Sequence, residues 1–272
     1  MNHVTDCSAA SQVERKRRRI TFDGIAEVYD SARPSYPCEL VDRMLGEAGL
    51  QQGAPVLEVG CGTGQMTRLL AGRGLNIHAL ELGPEMARLA MQRMADLNNV
   101  VVENADFEQW VPAMRFDAVV SATAFHWIDP VRSHDLVAQC LRPGGMLAVV
   151  STEHVAGGTE QFFADFNTVM ADMGLLSSGS ALPQARDVVW NDYVFDCKED
   201  FEAPRSWLFE WDEAYTADQY VALIRTYSDH RILPGPAALS LERATHALIV
   251  DRYNGSVAKR YCNELRLYRY RG

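Results

Sequence analysis

The 272-residue chain lacks several features that would fix its class at once. It has no run of about 18 or more apolar residues, so no transmembrane helix is available. Its N-terminus has no apolar stretch followed by a small-residue cleavage site, which argues against secretion and leaves a cytoplasmic protein as the expectation. Six cysteines, at 7, 38, 61, 140, 197 and 262, form no C-x-x-C pair and no zinc-ligand spacing. Neither a disulfide framework nor a metal site is therefore expected. Positive charge is in deficit: the formal net charge is −10, and the acids are spread along the chain. That opposes a nucleic-acid partner, because phosphate contacts need clustered cations. The one basic cluster, Arg15 to Arg19, lies in a leading arm (1–20) read as flexible and solvated.

Two phosphate fingerprints are missing as well. Residues 56–64 read "VLEVGCGTG", a short apolar run followed by glycines at alternate positions. Counted from Gly60 this is G-x-G-x-G, which is neither the dinucleotide pattern G-x-G-x-x-G nor the triphosphate loop ending in Gly-Lys-Ser/Thr. Glu58 stands two residues before the first glycine. A carboxylate there repels a pyrophosphate but attracts or orients a cationic ligand; it could equally support the loop through backbone N–H groups.

What is present is an alternation. "PVLEV", "NIHALEL", "VVVENADF", "FDAVVSATAF" and "MLAVVSTE" read as strands, each separated from the next by a helical pattern or a turn. Asp129 and Pro130 open one helix, Pro84 another, and Gly49 is a C-cap candidate. This order predicts an α/β, doubly wound Rossmann-like open sheet, mostly parallel, with ligands bound beyond the carboxyl ends of the strands. A helical cap over 21–50 precedes the core (51–272). The closing stretch "AKRYCNELRLYRY" predicts an antiparallel edge strand. An irregular segment at about 155–204 is read as an inserted lid over the substrate.

The motifs, in order, resemble those of the class I S-adenosylmethionine-dependent methyltransferases over roughly residues 20 to 153. "LEVGCGTG" matches the family's first motif, whose glycine turn (Gly60, Cys61, Gly62, Gly64) lies against the methionine part of the cofactor. Glu81 and Leu82, in "ALEL", match the end of the second strand, where an acid accepts hydrogen bonds from both ribose hydroxyls. Asp106 and Phe107, in "NADF", match the adenine position. "LRPGGML" matches the turn before the fifth strand. "TFDGIAEVYDSARPSYP" looks like the leading segment of a bacterial small-molecule subgroup similar to the trans-aconitate and ubiquinone/menaquinone methyltransferases. That resemblance implies that Phe22 and Tyr29 cover the methionine end and that Arg33 pairs with the cofactor carboxylate, as a guanidinium fork can.

"SATAFHWID" resembles that subgroup's A-x-H-W motif and makes His126 a general-base candidate, with His154 a second and His230 a third. The motif of the enzymes that methylate DNA and protein amino groups is absent from this strand end, which reads Ser121-Ala122-Thr123-Ala124. The expectation is methyl transfer from S-adenosylmethionine to carbon or oxygen of a small metabolite, a secondary metabolite by preference. Phe162, Phe163, Phe166, Trp190, Trp207 and Trp211 suggest an apolar or aromatic acceptor, although they could equally be core. The rival readings are a nicotinamide-dependent oxidoreductase and an inactive cofactor-binding protein. A homo-oligomer through the N-terminal helix stays open.

Overall fold

The computed structural model describes residues 23–175, 181–188, 190 and 199–272. The basic arm, Phe22 and part of the expected lid lie outside these residues. After a 3₁₀ turn at Asp23–Ile25 come α1 (Ala26–Ala32) and α2 (Cys38–Ala48). Gly49 ends α2 with φ 68°, the left-handed cap that glycine allows.

The core then alternates: β1 (Pro55–Val59), α3 (Gln65–Ala71), β2 (Asn76–Glu81), α4 (Pro84–Arg93), β3 (Val100–Asn104), β4 (Phe116–Ala122), α5 (Pro130–Cys140) and β5 (Leu141–Gly158). Asp129 caps α5 by accepting the Val131 N–H, with Pro130 in the first turn. The remainder is α6 (Glu160–Asp172), β6 (Arg205–Thr216), α7 (Ala217–Arg225), a one-turn α8 (Ser228–Arg231), α9 (Gly235–Arg252) and β7 (Ser256–Arg269).

The seven strands form one sheet in the order β3-β2-β1-β4-β5-β7-β6. Pairings among β1 to β5 are parallel, and β7 runs against both β5 and β6. The antiparallel pairing expected of the C-terminal strand is present, but β7 sits one place inside the edge and β6 takes the edge itself. Burial explains the placement. β7 is buried along most of its length, whereas β6 alternates exposed and half-buried residues as an edge strand must.

The core lies on both faces because successive side chains of a strand point opposite ways. Val56 and Val120 pack with Leu40, Met44 and Leu70 on one face, while Leu57 and Val119 pack with Leu136 and Val137 on the other. A third cluster joins α6, α7 and α9 to the β6–β7 end. There Phe162 is fully buried against Tyr220 and Tyr253. Between β1 and β4 the connections turn in opposite directions, which opens a crevice over their carboxyl ends.

Candidate functional site

The crevice is a cleft of about 420 Å³. Its floor is the loop after β1. Gly60 has φ 73°, and an added Cβ there would lie 2.5 Å from the Ala124 Cβ, so the β1 and β4 loops touch because this residue has no side chain. Gly62, at φ 59°, faces more open space: the nearest atom to the position a Cβ would take is 3.8 Å away. The N–H groups of Gly60 and Cys61 both donate to the Leu80 carbonyl, at 2.9 and 3.1 Å, which ties the loop to β2.

Glu81 completes the tie. One carboxylate oxygen accepts the Gly62 N–H and the other the Gly83 N–H, each at 2.9 Å. A carboxylate has about four lone-pair sites, and Glu81 lines the cleft.

Of the residues singled out from sequence, Tyr29, Arg33, Gly60, Gly62, Glu81, Leu82, Phe107 and His126 meet around this one cleft. Glu58, Cys61, Gly64, Asp106 and His154 do not line it. Glu58 points into the core at 1% exposure. Burial pushes its carboxyl up to about 7, the Thr67 hydroxyl beside it offsets only part of that, and one of its oxygens has no hydrogen-bond partner. Cys61 is buried, and desolvation followed by the Glu58 and Glu81 charges raises its thiol well above the ordinary range. Gly64 caps α3. Asp106 accepts from the Glu108 N–H at 3.2 Å, beside the cleft residues Ala105 and Phe107.

The two histidines separate. His126 follows β4 in a 3₁₀ turn, lies against Trp127 with ring centroids 4.6 Å apart, and is held neutral by burial with its pKa down to about 4. His154 pairs across from Tyr261 on β7 and meets Phe163 edge-on at 4.3 Å. Burial and then the Lys259 charge depress it to about 3. His230 faces Glu242 at 3.3 Å, and burial lowers its pKa. Phe162, Phe163 and Phe166 pack on one another and on Tyr220. Trp207 stacks under Arg43 and Arg205. Of the six aromatics in the expected acceptor set, Trp211 alone borders a pocket next to the cleft.

Sequence reasoning missed three cleft features. Thr123, at the end of β4, has φ 53°, which is uncommon for a residue with a Cβ. Its hydroxyl shares a 2.6 Å hydrogen bond with the buried Tyr36 hydroxyl, whose pKa burial raises far above normal. Tyr227 and Asp229 enter from the end of α7. Their only sequence signal is "TYSDH", in which His230 is the more conspicuous residue.

An open sheet of this order, with a carboxylate pinned beneath a glycine turn at the switch point, defines a class I α/β domain that takes a nucleoside-type ligand. Residues 56–145 match a family model described as "Methyltransferase domain". An uncharacterised methyltransferase of Mycobacterium tuberculosis is 38% identical over 136 residues, which is 50% of this chain and 54% of that protein. A trans-aconitate 2-methyltransferase from the same species is 40% identical over 121 residues, 43% of this chain and 42% of the relative. The chain thus spans about half the length of the curated relatives it matches. Among solved structures, a candidate type II methyltransferase from Anaeromyxobacter dehalogenans superposes with a TM-score of 0.58 at 20% identity, covering 86% of this chain and 97% of that one. Residues 56–145 thus carry a methyltransferase domain by the family match.

Proposed function

We propose that the protein transfers the methyl group of S-adenosylmethionine to a carbon or oxygen of a small organic metabolite, a product of secondary metabolism. The observation that supports this most directly is Glu81. Its two oxygens are oriented by the Gly62 and Gly83 N–H groups, so the carboxylate enters the cleft pre-positioned for a diol. The cradle fits the cofactor in a second respect, since a side chain at Gly62 would project into the space a ligand needs.

In this reading Glu81 holds the ribose hydroxyls, Leu82 and Phe107 flank the adenine with Asp106 near its amino group, and Gly60 and Gly62 lie along the methionine portion. Tyr29 covers that end, and Arg33 faces the carboxylate. Cys61 and Gly64 shape the turn from beneath. Bound S-adenosylmethionine supplies an electrophilic methyl on a sulfonium, and the protein supplies orientation and a dry site. His126 is the residue placed to accept a proton, although a base held near 4 suits an acceptor that needs little help. His154, packed on Phe163 away from the cleft lining, has no route to that role in this arrangement. Of the segment at about 155–204 expected as a lid, residues 155–158 belong to β5, and α6 is the described α-helix of the remainder. An oxidoreductase reading is not favoured, because the third glycine of the dinucleotide turn is missing.

Calorimetry with S-adenosylmethionine and S-adenosylhomocysteine tests the assignment. Micromolar binding is expected for the wild type, and Glu81→Ala and Gly62→Arg should each lose most of it. Unchanged affinity in both variants would sink the site.

A further inference from the structure

Arg33 on the cleft wall and Lys259 behind it, in contact with the cleft residue Tyr227, are two cations with no carboxylate partner among the described residues. Arg33 is the one assigned above to the cofactor, which leaves Lys259. Arg33 donates from Nε to the Thr226 hydroxyl at 2.9 Å and from an Nη to the Thr226 carbonyl at 3.2 Å. Its guanidinium lies 5.2 Å from the Tyr29 ring centroid and 5.0 Å from that of Tyr227. Lys259, on β7, is 6% exposed. It makes a single hydrogen bond, to the Tyr227 hydroxyl at 2.7 Å, and its ammonium lies 5.0 Å from the ring centroids of both Tyr227 and Tyr261. Among the described residues neither cation has an Asp or Glu oxygen within 4 Å. The acids around the pair stand further off: Glu213 opposite Lys259 in the strand register, Glu153 close enough to feel its charge, and Asp229 on the cleft wall.

Taking an ammonium out of water is costly, and ring faces offset only part of that cost. One hydroxyl and two rings are thin compensation, so the site has unused capacity for an anion.

Tyr227 shows where that capacity faces. Its oxygen accepts from the ammonium, so its own proton must point elsewhere, and no described residue accepts it. Tyr227 lines the cleft. The hydroxyl is thus free to donate to a group bound in the cleft. Beside the cleft, and sharing Tyr29, Arg33 and Thr123 with it, is a chamber of about 60 Å³ bordered by Gln65, Tyr261 and Asn263 and by no acidic residue. Neither Tyr227 nor Lys259 borders that chamber, so the room in front of the Tyr227 hydroxyl is the cleft itself.

We propose that Tyr227, polarised by Lys259, recognises an oxyanion on the methyl acceptor, a carboxylate or a phosphate, and selects anionic over neutral acceptors. The proposal rests on the methyltransferase reading. Tyr227 and Lys259 both lie outside the 56–145 segment matched to the family model. The acceptor is then a small organic anion whose remaining body can still be planar, with Trp211 at the chamber wall.

The test is calorimetric titration of the protein saturated with S-adenosylhomocysteine, using benzoate, phenyl phosphate and benzamide as probes. At least one anion should bind tenfold or more tightly than benzamide, and which one does so distinguishes carboxylate from phosphate. Lys259→Met should remove most of that preference while leaving S-adenosylhomocysteine affinity unchanged, and Tyr227→Phe should remove most of it as well. Lys259→Arg should keep most of it. Equal binding of the three probes, no binding of any, or a preference that survives Lys259→Met would overturn the proposal. So would a loss of S-adenosylhomocysteine affinity in Lys259→Met, which would assign the pair to the cofactor's own carboxylate. Failure of the wild type to bind S-adenosylhomocysteine at all would instead strike at the methyltransferase reading beneath it.

Discussion

Glu58 should make the fold pH-sensitive in a direction opposite to most carboxylates. Its folded-state pKa is raised from 4.5 to about 7, because β1 carries it into the core at 1% exposure. The folded protein therefore holds this proton more tightly than the unfolded chain does. Stability is unaffected below about pH 4.5, falls as the pH rises from there to 7, and stays reduced above 7. At about 1.4 kcal/mol per pH unit the full penalty is about 3 kcal/mol at pH 8, with only about 1 kcal/mol of it present at pH 5. Glu58→Gln removes the ionisation while preserving shape. Its advantage over the wild type should grow by about 2 kcal/mol between pH 5 and pH 8. Burial raises Glu153 and Glu264 too, but their slopes are common to both proteins and cancel in the difference. Urea unfolding at several pH values, with the m-value held as a control on cooperativity, measures this directly. Parallel stability curves for the two proteins would refute the reasoning, since they would mean that Glu58 titrates alike folded and unfolded.

Two further substitutions probe the cleft. Gly60→Ala combines a left-handed backbone cost of about 1–2 kcal/mol with a 2.5 Å contact on Ala124. It should destabilise by about 2–4 kcal/mol and weaken S-adenosylhomocysteine binding. Gly49→Ala, at φ 68° with nothing within 4 Å, should show the backbone cost alone, and equal losses in the two would refute the close-packing argument. His126→Gln should lower kcat less than tenfold on any acceptor found, with a flat pH–rate profile from 6 to 8, because a base near pKa 4 is already neutral there. A loss of a hundredfold or more would make His126 the general base.

The alternation of strand and helix, the glycine turn and the acid ending β2 were all legible in the linear chain. Each is a local pattern: apolar periodicity, a backbone that needs no Cβ, and a charge at a strand end. For the same reason the parallel sheet and the grouping of Gly60, Gly62, Glu81, Leu82 and Phe107 followed from order along the chain.

What the sequence could not decide depends on contacts between distant elements. Glu58 in "VLEVG" reads either as a ligand-side acid or as a support of the loop, and only the packing of Thr67 and the core around it shows that the side chain points inward. His154 reads as a base just past a strand, but β5 continues to Gly158 and β7 pairs across it, which leaves the imidazole packed on Phe163. The phenylalanines of α6 read equally as acceptor pocket or core; Phe162 is fully buried against Tyr220 and Tyr253, while Phe163 also lines a separate cavity of about 720 Å³. The Tyr36–Thr123 pair spans 87 positions and the Lys259–Tyr227 pair 32. Neither leaves any periodic or spacing signal. The sequence by itself determined the class of fold and the glycine-and-acid floor of the cleft, because backbone geometry there is written in glycines and a single acid. The hydroxyl–ammonium pair proposed to read the acceptor appears only when the sheet brings β7 beside the end of α7, since a tyrosine backed by a buried lysine 32 positions away exists only in three dimensions.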